Sequence, residues 1–306
     1  MSARSVEVIV VPFDGFGRPG HQATAADAYL VAGLLDGPDL PMELSPPIEL
    51  PDPSPARGPL TGLMNEDALL VLTDELQARV SASLREDRLP VVVGGDCSLL
   101  LGTFAGAHAV DARFGLLFAD GHEDTTPLDV SEDGEAANAE LGLLLGIAGR
   151  LPGFPRPAVL SILAASRLAA VGQRDVAWRR SLNIGSVADL GVFFRSADSV
   201  AADPAGAGRG AGAFLQAGGP WWLHVDLDVL DLAVLPATGV PGDAPDPDSG
   251  GLDWDQLTAV LIAAAEAGGC RGVSVAIYDP DQDPGHRHAG RIVQLVHELV
   301  RALDPR

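Results

Sequence analysis

The sequence predicts an α/β protein with three layers, in which helices cover both faces of a mainly parallel sheet. Short apolar segments alternate with segments of helical spacing along the whole chain. The apolar segments also have the length and composition of buried parallel strands. Acidic residues follow several of these segments. Because open α/β sheets bind ligands at the carboxyl ends of their strands, we expect a functional site there.

The predicted elements follow one another without a clear boundary, so we expect one domain over residues 1–306. Strands are predicted at residues 6–11, at 42–44 or 48–50, and at 91–93, 114–119, 159–164, 191–194, 222–225 and 272–277. Helices are predicted at residues 24–35, 65–85, 99–110, 139–147, 173–181, around Phe214, and at 254–267 and 290–303. We expect Asn65 to cap the second helix. Residues 201–212, mostly Ala and Gly, are expected to be flexible, and residues 128–138 and 230–252 to form loops.

The composition excludes several classes of protein. The 306 residues are 47% hydrophobic, which is enough for a sizeable core. The formal net charge of −22 argues against nucleic acid or an anionic membrane as partner and suits a small cationic substrate. Two cysteines, Cys97 and Cys270, imply no disulfide framework. No signal-peptide segment or apolar run of membrane-spanning length is apparent, so we expect a cytoplasmic enzyme.

The first candidate site follows the predicted strand at residues 114–119. Asp120, His122 and Asp124 occupy alternate positions after it. Alternate side chains of extended backbone point to the same side, so two carboxylates and an imidazole can converge on one cation. A solvated polar loop is the alternative explanation, since the chain contains 42 acidic residues.

A second strand end makes the metal interpretation stronger. Asp226 and Asp228 have the same alternate spacing at the end of the predicted strand at residues 222–225. Carboxylates inside apolar segments cost several kcal/mol to bury unless they are paired or bound to a metal. Two strands that end in this way predict a shared cation site.

Four loop motifs, taken in their order along the chain, resemble those of the arginase, agmatinase and formiminoglutamase family, the ureohydrolases. The family pattern is G-G-D-H-S, then D-A-H-x-D, then S-x-D-x-D-x-x-D-P, then E-x-N/D-P. This chain has GGDCS at residues 94–98, DGHED at 120–124, HVDLDVLD at 224–231 and IYDP at 277–280. The resemblance extends from about residue 91 to the C-terminus and more loosely to the start of the chain.

The resemblance implies an arginase-type fold with an eight-stranded sheet, two Mn²⁺ ions and a metal-bridging hydroxide that attacks a guanidino or amidine carbon. By position, it assigns Cys97, Asp120, Asp124 and Asp226 to one ion and His122, Asp120, Asp226 and Asp228 to the other. We take Asp124, His122 and Glu123 as the candidate catalytic residues. A homo-oligomer, trimer or hexamer, is also implied.

Three positions depart from the family pattern. Cys97 stands in place of a metal-binding His; it is either a softer ligand or a small buried side chain, so one metal position is expected to be weak, empty or differently filled. This change also resembles the N-hydroxyarginine hydrolase branch of the family. Ile277 stands in place of the Glu that pairs with the guanidinium. Asp279, Asp281 and Asp283 nearby are either substitutes for it or ordinary solvated acids of the loop.

The third departure is the loop that carries a catalytic His in the family. Here Ala137 and Asn138 lie in that vicinity. We therefore consider Asn138 and Asp279 as substrate-binding residues, and Glu123 or Glu140 as groups that could transfer a proton. His108, His286 and His288 match no ligand position and are expected to be structural or solvated.

Two hypotheses follow. The first is a metal-dependent hydrolase of a linear C–N bond in a guanidino, amidine or ureido compound. The second is a ureohydrolase-like protein that has lost catalysis and binds a ligand or a partner. The five retained ligand-type residues, Asp120, His122, Asp124, Asp226 and Asp228, favour the enzyme.

Overall fold

The structure is a computed structural model, and it describes residues 4–37, 41–131, 134–148, 161–238 and 249–303. Eight strands form one sheet in the order β2-β1-β3-β8-β7-β4-β5-β6, and every neighbouring pair is parallel. The strands are β1 (Val6–Val10), β2 (Met42–Leu44), β3 (Leu89–Val93), β4 (Gly115–Ala119), β5 (Leu168–Val171), β6 (Phe193–Arg195), β7 (Trp221–Asp226) and β8 (Cys270–Ala276). The prediction of a mainly parallel sheet of about eight strands is confirmed.

Helices cover both faces of this sheet. The α-helices of the described residues are α1 (Ala25–Val31), α2 (Glu66–Arg85), α3 (Leu99–Val110), α4 (Glu140–Leu145), α5 (Val176–Ser181), α6 (Ala197–Ala202), α7 (Pro204–Gly218), α8 (Trp254–Ala265) and α9 (Arg287–Leu303). The apolar faces of α1, α7, α8 and α9 share one hydrophobic cluster, and those of α2, α3 and α4 share a second on the opposite face. Three layers result, as the sequence predicts.

The central strands are buried on both faces. Every residue of β3, β4, β5 and β7 is buried, which explains why these strands read as continuous apolar segments without alternation. Among the described residues, no helix is long and apolar enough to cross a membrane.

The prediction of a strand at residues 159–164 is wrong for the residues that the structure describes. Residues 159 and 160 lie outside the described residues, and 161–164 form no strand. The strand is β5 (Leu168–Val171), which pairs with β4 and β6. Two apolar segments stand close together here, and periodicity alone does not distinguish which of them enters the sheet.

The flexible segment predicted at residues 201–212 is also wrong, because most of it lies in α7. Asp203 accepts a hydrogen bond from the Gly206 amide at 2.9 Å and begins this helix. A Cβ built on Gly208 would lie 2.1 Å from the Val260 carbonyl oxygen of α8. The glycines therefore permit close packing of two helices, and this contact outweighs their poor helix propensity.

Asn65 precedes α2, but its side chain does not cap the helix. It donates instead to the Asp14 carbonyl oxygen at 2.9 Å and accepts from the Ser54 amide at 3.1 Å. Its backbone adopts the left-handed conformation, with φ 50°. The residue thus joins two loops to the start of α2.

Candidate metal centre

Four neighbouring strands, β3, β8, β7 and β4, carry the motif-bearing loops at their carboxyl ends. Val225 of β7 is in register with Val275 of β8 and with Ala119 of β4. Asp226 and Asp120, each one residue further on, therefore leave adjacent strands at the same level. This placement makes Asp120 and Asp226 the central pair of the site.

One group of ligand-type atoms consists of Asp120, His122 and Asp228. One atom from each lies within 4.8 Å of the others. The His122 Nδ1 is 3.0 Å from the Asp228 Oδ2 and 3.8 Å from the Asp120 Oδ1. Asp120 also accepts a hydrogen bond from the His122 amide at 2.6 Å, while its other carboxylate oxygen is buried without a partner among the described residues.

A second group consists of Cys97, Asp124 and Glu140, with the same spacing of ligand atoms. Cys97 follows β3 and is buried, and its thiol donates to the Ala137 carbonyl oxygen at 3.3 Å. Glu140 is the first residue of α4 and is also buried. Asp226 lies between the two groups, where its Oδ1 accepts the Asp228 amide at 2.8 Å.

The site carries an excess of negative charge in a buried environment. Burial, and then the neighbouring carboxylates, raise the pKa of Asp120, Asp124 and Asp226 well above the usual value. Burial opposes ionisation of Asp228 as well, but the facing His122 holds the pKa of Asp228 below its usual range. Protons or cations must balance this charge.

Glu123 does not face the cluster, so its predicted catalytic role lacks support from the geometry. Its carboxylate accepts from the Ser186 hydroxyl at 2.7 Å and lies 3.0 Å from the Arg179 guanidinium. Arg179 also pairs with Asp175 at 3.1 Å, and Asp175 accepts the Glu123 amide at 2.9 Å. Among the described residues that line the cavity are both His122 and Asp124, but not Glu123. The contacts of Glu123 join the loop after β4 to α5.

A cavity of about 330 Å³ ends on the cluster. Its lining includes the predicted substrate-binding residue Asn138. It also includes five of the predicted metal ligands, which are Cys97, His122, Asp124, Asp226 and Asp228. Ile277, where the resemblance expects an acid, also lines the cavity. Ile277 has φ 64°, a conformation that is strained for a β-branched side chain.

Asp279 is not among the described residues that line the cavity. It is buried, and its carboxylate lies 3.0 Å from the His21 Nδ1 and accepts the Asp281 amide at 2.9 Å. Asp283 in turn accepts the Tyr278 hydroxyl at 2.8 Å. These two acids hold the loop after β8, so the geometry gives neither a substrate-binding role.

Arg174 is a residue that the sequence reasoning missed. Its Nη2 donates to the Asp228 carbonyl oxygen at 2.8 Å, and its amide donates to the Gly121 carbonyl oxygen at 2.8 Å. A Cβ on Gly121 would lie 1.9 Å from the Arg174 Nη1. Gly121 stands where the family pattern has Ala. This difference was the feature of the sequence that could have indicated a close contact with another side chain.

Glu140 was considered from the sequence only as a proton-transfer group, not as a ligand. An acid at the start of a helix is ordinary because it interacts favourably with the helix dipole. Its burial depends on the contact between α4 and the loop after β4, which no local pattern in the sequence shows.

The residues present fit divalent ions. Carboxylate oxygens with a single imidazole form a donor set for hard cations such as Mn²⁺. One buried oxygen of Asp120 and both oxygens of Glu140 have no hydrogen-bond partner among the described residues. Bound cations would satisfy these oxygens and balance the charge. The fold and the site together define an α/β protein with a candidate metal centre at the carboxyl ends of its central strands.

Comparison with known proteins identifies the family. The model of the arginase family matches residues 4–301, so this chain belongs to the arginase family, whose members are metal-dependent ureohydrolases. The chain is 28% identical to an arginase of Schizosaccharomyces pombe over 320 residues, covering 98% of this chain and 92% of that protein. It is 28% identical to a formimidoylglutamase of Nocardia farcinica, covering 88% and 79% of the two chains.

Solved structures share the fold. The arginase of Bacillus caldovelox superposes with a TM-score of 0.83 at 20% identity, covering 97% of this chain and 98% of that one. The proclavaminate amidino hydrolase of Streptomyces clavuligerus superposes with a TM-score of 0.69 at 20% identity, covering 98% and 92%. The expected arginase-type fold is therefore confirmed.

Proposed function

We propose that this chain hydrolyses a C–N bond in a small compound that carries a guanidino or amidine group, and that the cluster holds the divalent ions this reaction uses. The observation that carries the proposal is that one cavity ends on five ligand-type side chains from β3, β4 and β7. Membership in a family of ureohydrolases supports the reaction class.

The ions we propose are Mn²⁺, at two positions. Asp120 and Asp226 would be shared, with His122 and Asp228 on one side and Asp124 on the other. When bound, such ions lower the pKa of a water molecule and polarise the group under attack. The ends of β4 and β7 present Asp120 and Asp226 at the same level, where both carboxylates could be shared between the ions.

The cavity selects a small substrate with a polar head. Its walls include the apolar side chains of Phe16, Leu232 and Ile277, whereas its inner end is acidic. A hydrogen-bond-donating head, such as a guanidino or amidine group, would bind at the inner end, where carboxylate oxygens can accept its hydrogen bonds. Asn138 lines the same cavity and is our proposed contact for the remainder of the substrate.

Asp124 is the residue we propose to move the proton. Its carboxylate faces the cavity and lies in the group with Glu140 and Cys97. It would accept a proton from the attacking water and return it to the departing nitrogen. His122 and Asp228 fix each other at 3.0 Å and orient the opposite side of the site.

A homo-oligomeric assembly, either a trimer or a hexamer, is proposed from the resemblance alone. A cytoplasmic location is also proposed.

The test is a substrate screen with the purified protein, with and without Mn²⁺. Arginine, agmatine, guanidinobutyrate, formiminoglutamate and N-hydroxyarginine are incubated, and the release of urea or its relatives is measured. We expect one of them to be turned over only with metal, and Asp124→Asn to abolish that turnover. Asp189→Asn, which changes an exposed acid outside the cavity, is the matched control.

No turnover of any substrate by the metal-loaded wild-type protein would contradict the proposal. Retained binding of a substrate under those conditions, unaffected by Asp228→Ala, would support a binding protein instead.

A further inference from the structure

We propose that Glu140 is a metal ligand, and that Glu140 and Asp124 together hold the divalent ion beside Cys97. This inference rests on the proposed metal-dependent function and assigns a ligand that the motif pattern of the family does not contain. It explains how the first metal position is kept in a chain that has Cys97 in place of a His.

The ligand atoms of Cys97, Asp124 and Glu140 have the spacing of one coordination sphere. They lie within 4.8 Å of one another. Two donors at about 2.1 Å from one ion are separated by about 3 to 4.2 Å, depending on the angle between them. All three atoms can therefore contact one ion after small side-chain rotations.

Glu140 differs from an ordinary acid at the start of a helix. It is buried, and neither of its carboxylate oxygens has a hydrogen-bond partner among the described residues. Glu66 provides the contrast, because it is also buried and also the first residue of a helix. Its carboxylate accepts hydrogen bonds from the Leu60 amide at 3.2 Å and from the amide and hydroxyl of Thr61. Among the described residues no such donors face Glu140, whose carboxylate instead lies close to that of Asp124, and a cation would take the place of the donors.

Backbone hydrogen bonds bring Glu140 to the site. The Gly142 amide donates to the Asp124 carbonyl oxygen at 2.9 Å, and the Thr126 amide donates to the Asn138 carbonyl oxygen at 3.0 Å. These bonds join the start of α4 to the loop after β4. The position of Glu140 is thus set by the same loop that carries Asp124.

Cys97 brings a sulfur to this group in place of an imidazole nitrogen, and this sulfur lies 3.3 Å from the Ala137 carbonyl oxygen. Sulfur ligands favour softer ions than Mn²⁺. The carboxylate of Glu140 would then supply the strong donor, and the position would keep its preference for a hard ion over Zn²⁺.

The test measures metal binding without reference to activity. Wild-type protein, Glu140→Gln, Cys97→Ala and Asp228→Asn are stripped with a chelator, loaded with Mn²⁺ and freed of excess metal. Metal content is then measured by elemental analysis, and the interaction between ions by electron paramagnetic resonance. We expect two ions in the wild type and in Cys97→Ala, and one in Glu140→Gln, with the signal of coupled ions replaced by that of an isolated one. The affinity at the lost position is expected to fall more than about 100-fold.

Thermal unfolding separates a ligand from a merely structural residue. In chelator we expect Glu140→Gln to have a higher Tm than the wild type, because an unpartnered buried acid has been removed. With Mn²⁺ it should gain less in Tm than the wild type. Glu66→Gln is the matched control, and it should lower Tm in chelator while keeping the full gain with metal.

Two metal ions in Glu140→Gln, with unchanged affinity, would overturn this assignment and leave the proposed function standing. A metal-free wild type after loading would overturn both. One ion in Glu140→Gln and one in Asp228→Asn, at positions distinguished by their spectra, would support both.

Discussion

The imidazole of His122 and the carboxylate of Asp228 lie 3.0 Å apart, although the two residues follow different strands, β4 and β7. Burial lowers the pKa of His122, but the facing Asp228 outweighs burial and raises this pKa to about 9. At this separation the two atoms can bind one ion, and without an ion they form a charged pair. One contact therefore stabilises the site in both states.

His122→Asn should remove the ion on the Asp228 side and reduce kcat/KM more than about 100-fold, because the imidazole donor is lost while the side chain remains polar. Metal content and substrate turnover are measured together. His108→Asn is the matched control, since His108 lies on α3 and is not among the described residues that line the cavity. Full activity with two ions in His122→Asn would contradict the ligand assignment.

Glu123→Ala should lower the free energy of unfolding by about 3–5 kcal/mol, because it leaves the Arg179 guanidinium buried beside Asp175 without its second acid. Urea denaturation measures this change. The double variant with Arg179→Ala should lose less than the sum of the two single variants. Glu75→Gln, which breaks a partly exposed pair with Arg79, should change stability by less than about 0.5 kcal/mol.

A different result for Glu123 would restore its catalytic role. If kcat falls sharply in Glu123→Gln while the urea midpoint stays at the wild-type value, the residue takes part in the reaction and does not merely position the loop.

Ile277→Glu should improve the binding of a guanidinium substrate. Ile277 lines the cavity, and a carboxylate there could form a charge-assisted pair worth about 1.5–3 kcal/mol, which corresponds to roughly a 10- to 100-fold lower KM. Ile277→Leu is the control that keeps the apolar wall. Steady-state kinetics with arginine and agmatine measure the effect, and an unchanged KM for both would show that this position does not contact the substrate head.

The metal-free protein should become less stable as pH rises above about 4, the usual carboxyl pKa in an unfolded chain. Burial and neighbouring acids raise the pKa of Asp120, Asp124, Asp226 and Glu140, so the folded state binds more protons than the unfolded state. His122, whose pKa is raised to about 9, contributes with the same sign up to that pH. In chelator, Tm should therefore be higher at about pH 5.5 than at about pH 7.5.

Mn²⁺ should reverse this trend, because metal binding requires deprotonated ligands and weakens as pH falls. A chelated protein that is more stable at the higher pH would show that the acids are not buried together as described.

Gly208→Ala should destabilise the protein by about 1–3 kcal/mol, since a Cβ at this position would meet the Val260 carbonyl oxygen at 2.1 Å. Gly290→Ala is the matched control in α9, where no atom lies within 4 Å of the added Cβ. That variant should be more stable by about 0.5–1 kcal/mol, as expected from helix propensity alone. Thermal or urea unfolding measures both, and stabilisation by both substitutions would contradict the close packing of α7 on α8.

The elements that carry the site were predicted best, because burial leaves a strong pattern. The helix predicted at residues 99–110 is α3 (Leu99–Val110), and the acids after β4 and β7 converge as their alternate spacing indicates. Contacts between distant segments were not predictable. The rigidity of α7 depends on α8, and the burial of Glu140 depends on the loop after β4. The contacts of Glu123 with Arg179 and Ser186 likewise join segments that are distant in the sequence.

The strand order has a consequence for how the protein is made. β3 and β4 follow one another in the chain, but β7 and β8, which are synthesised much later, lie between them in the sheet. Asp226 cannot reach Asp120 until β7 has paired with β4. Such long-range pairing is a slow event in folding. The complete set of ligands would therefore assemble only after β7 has been synthesised and has entered the sheet.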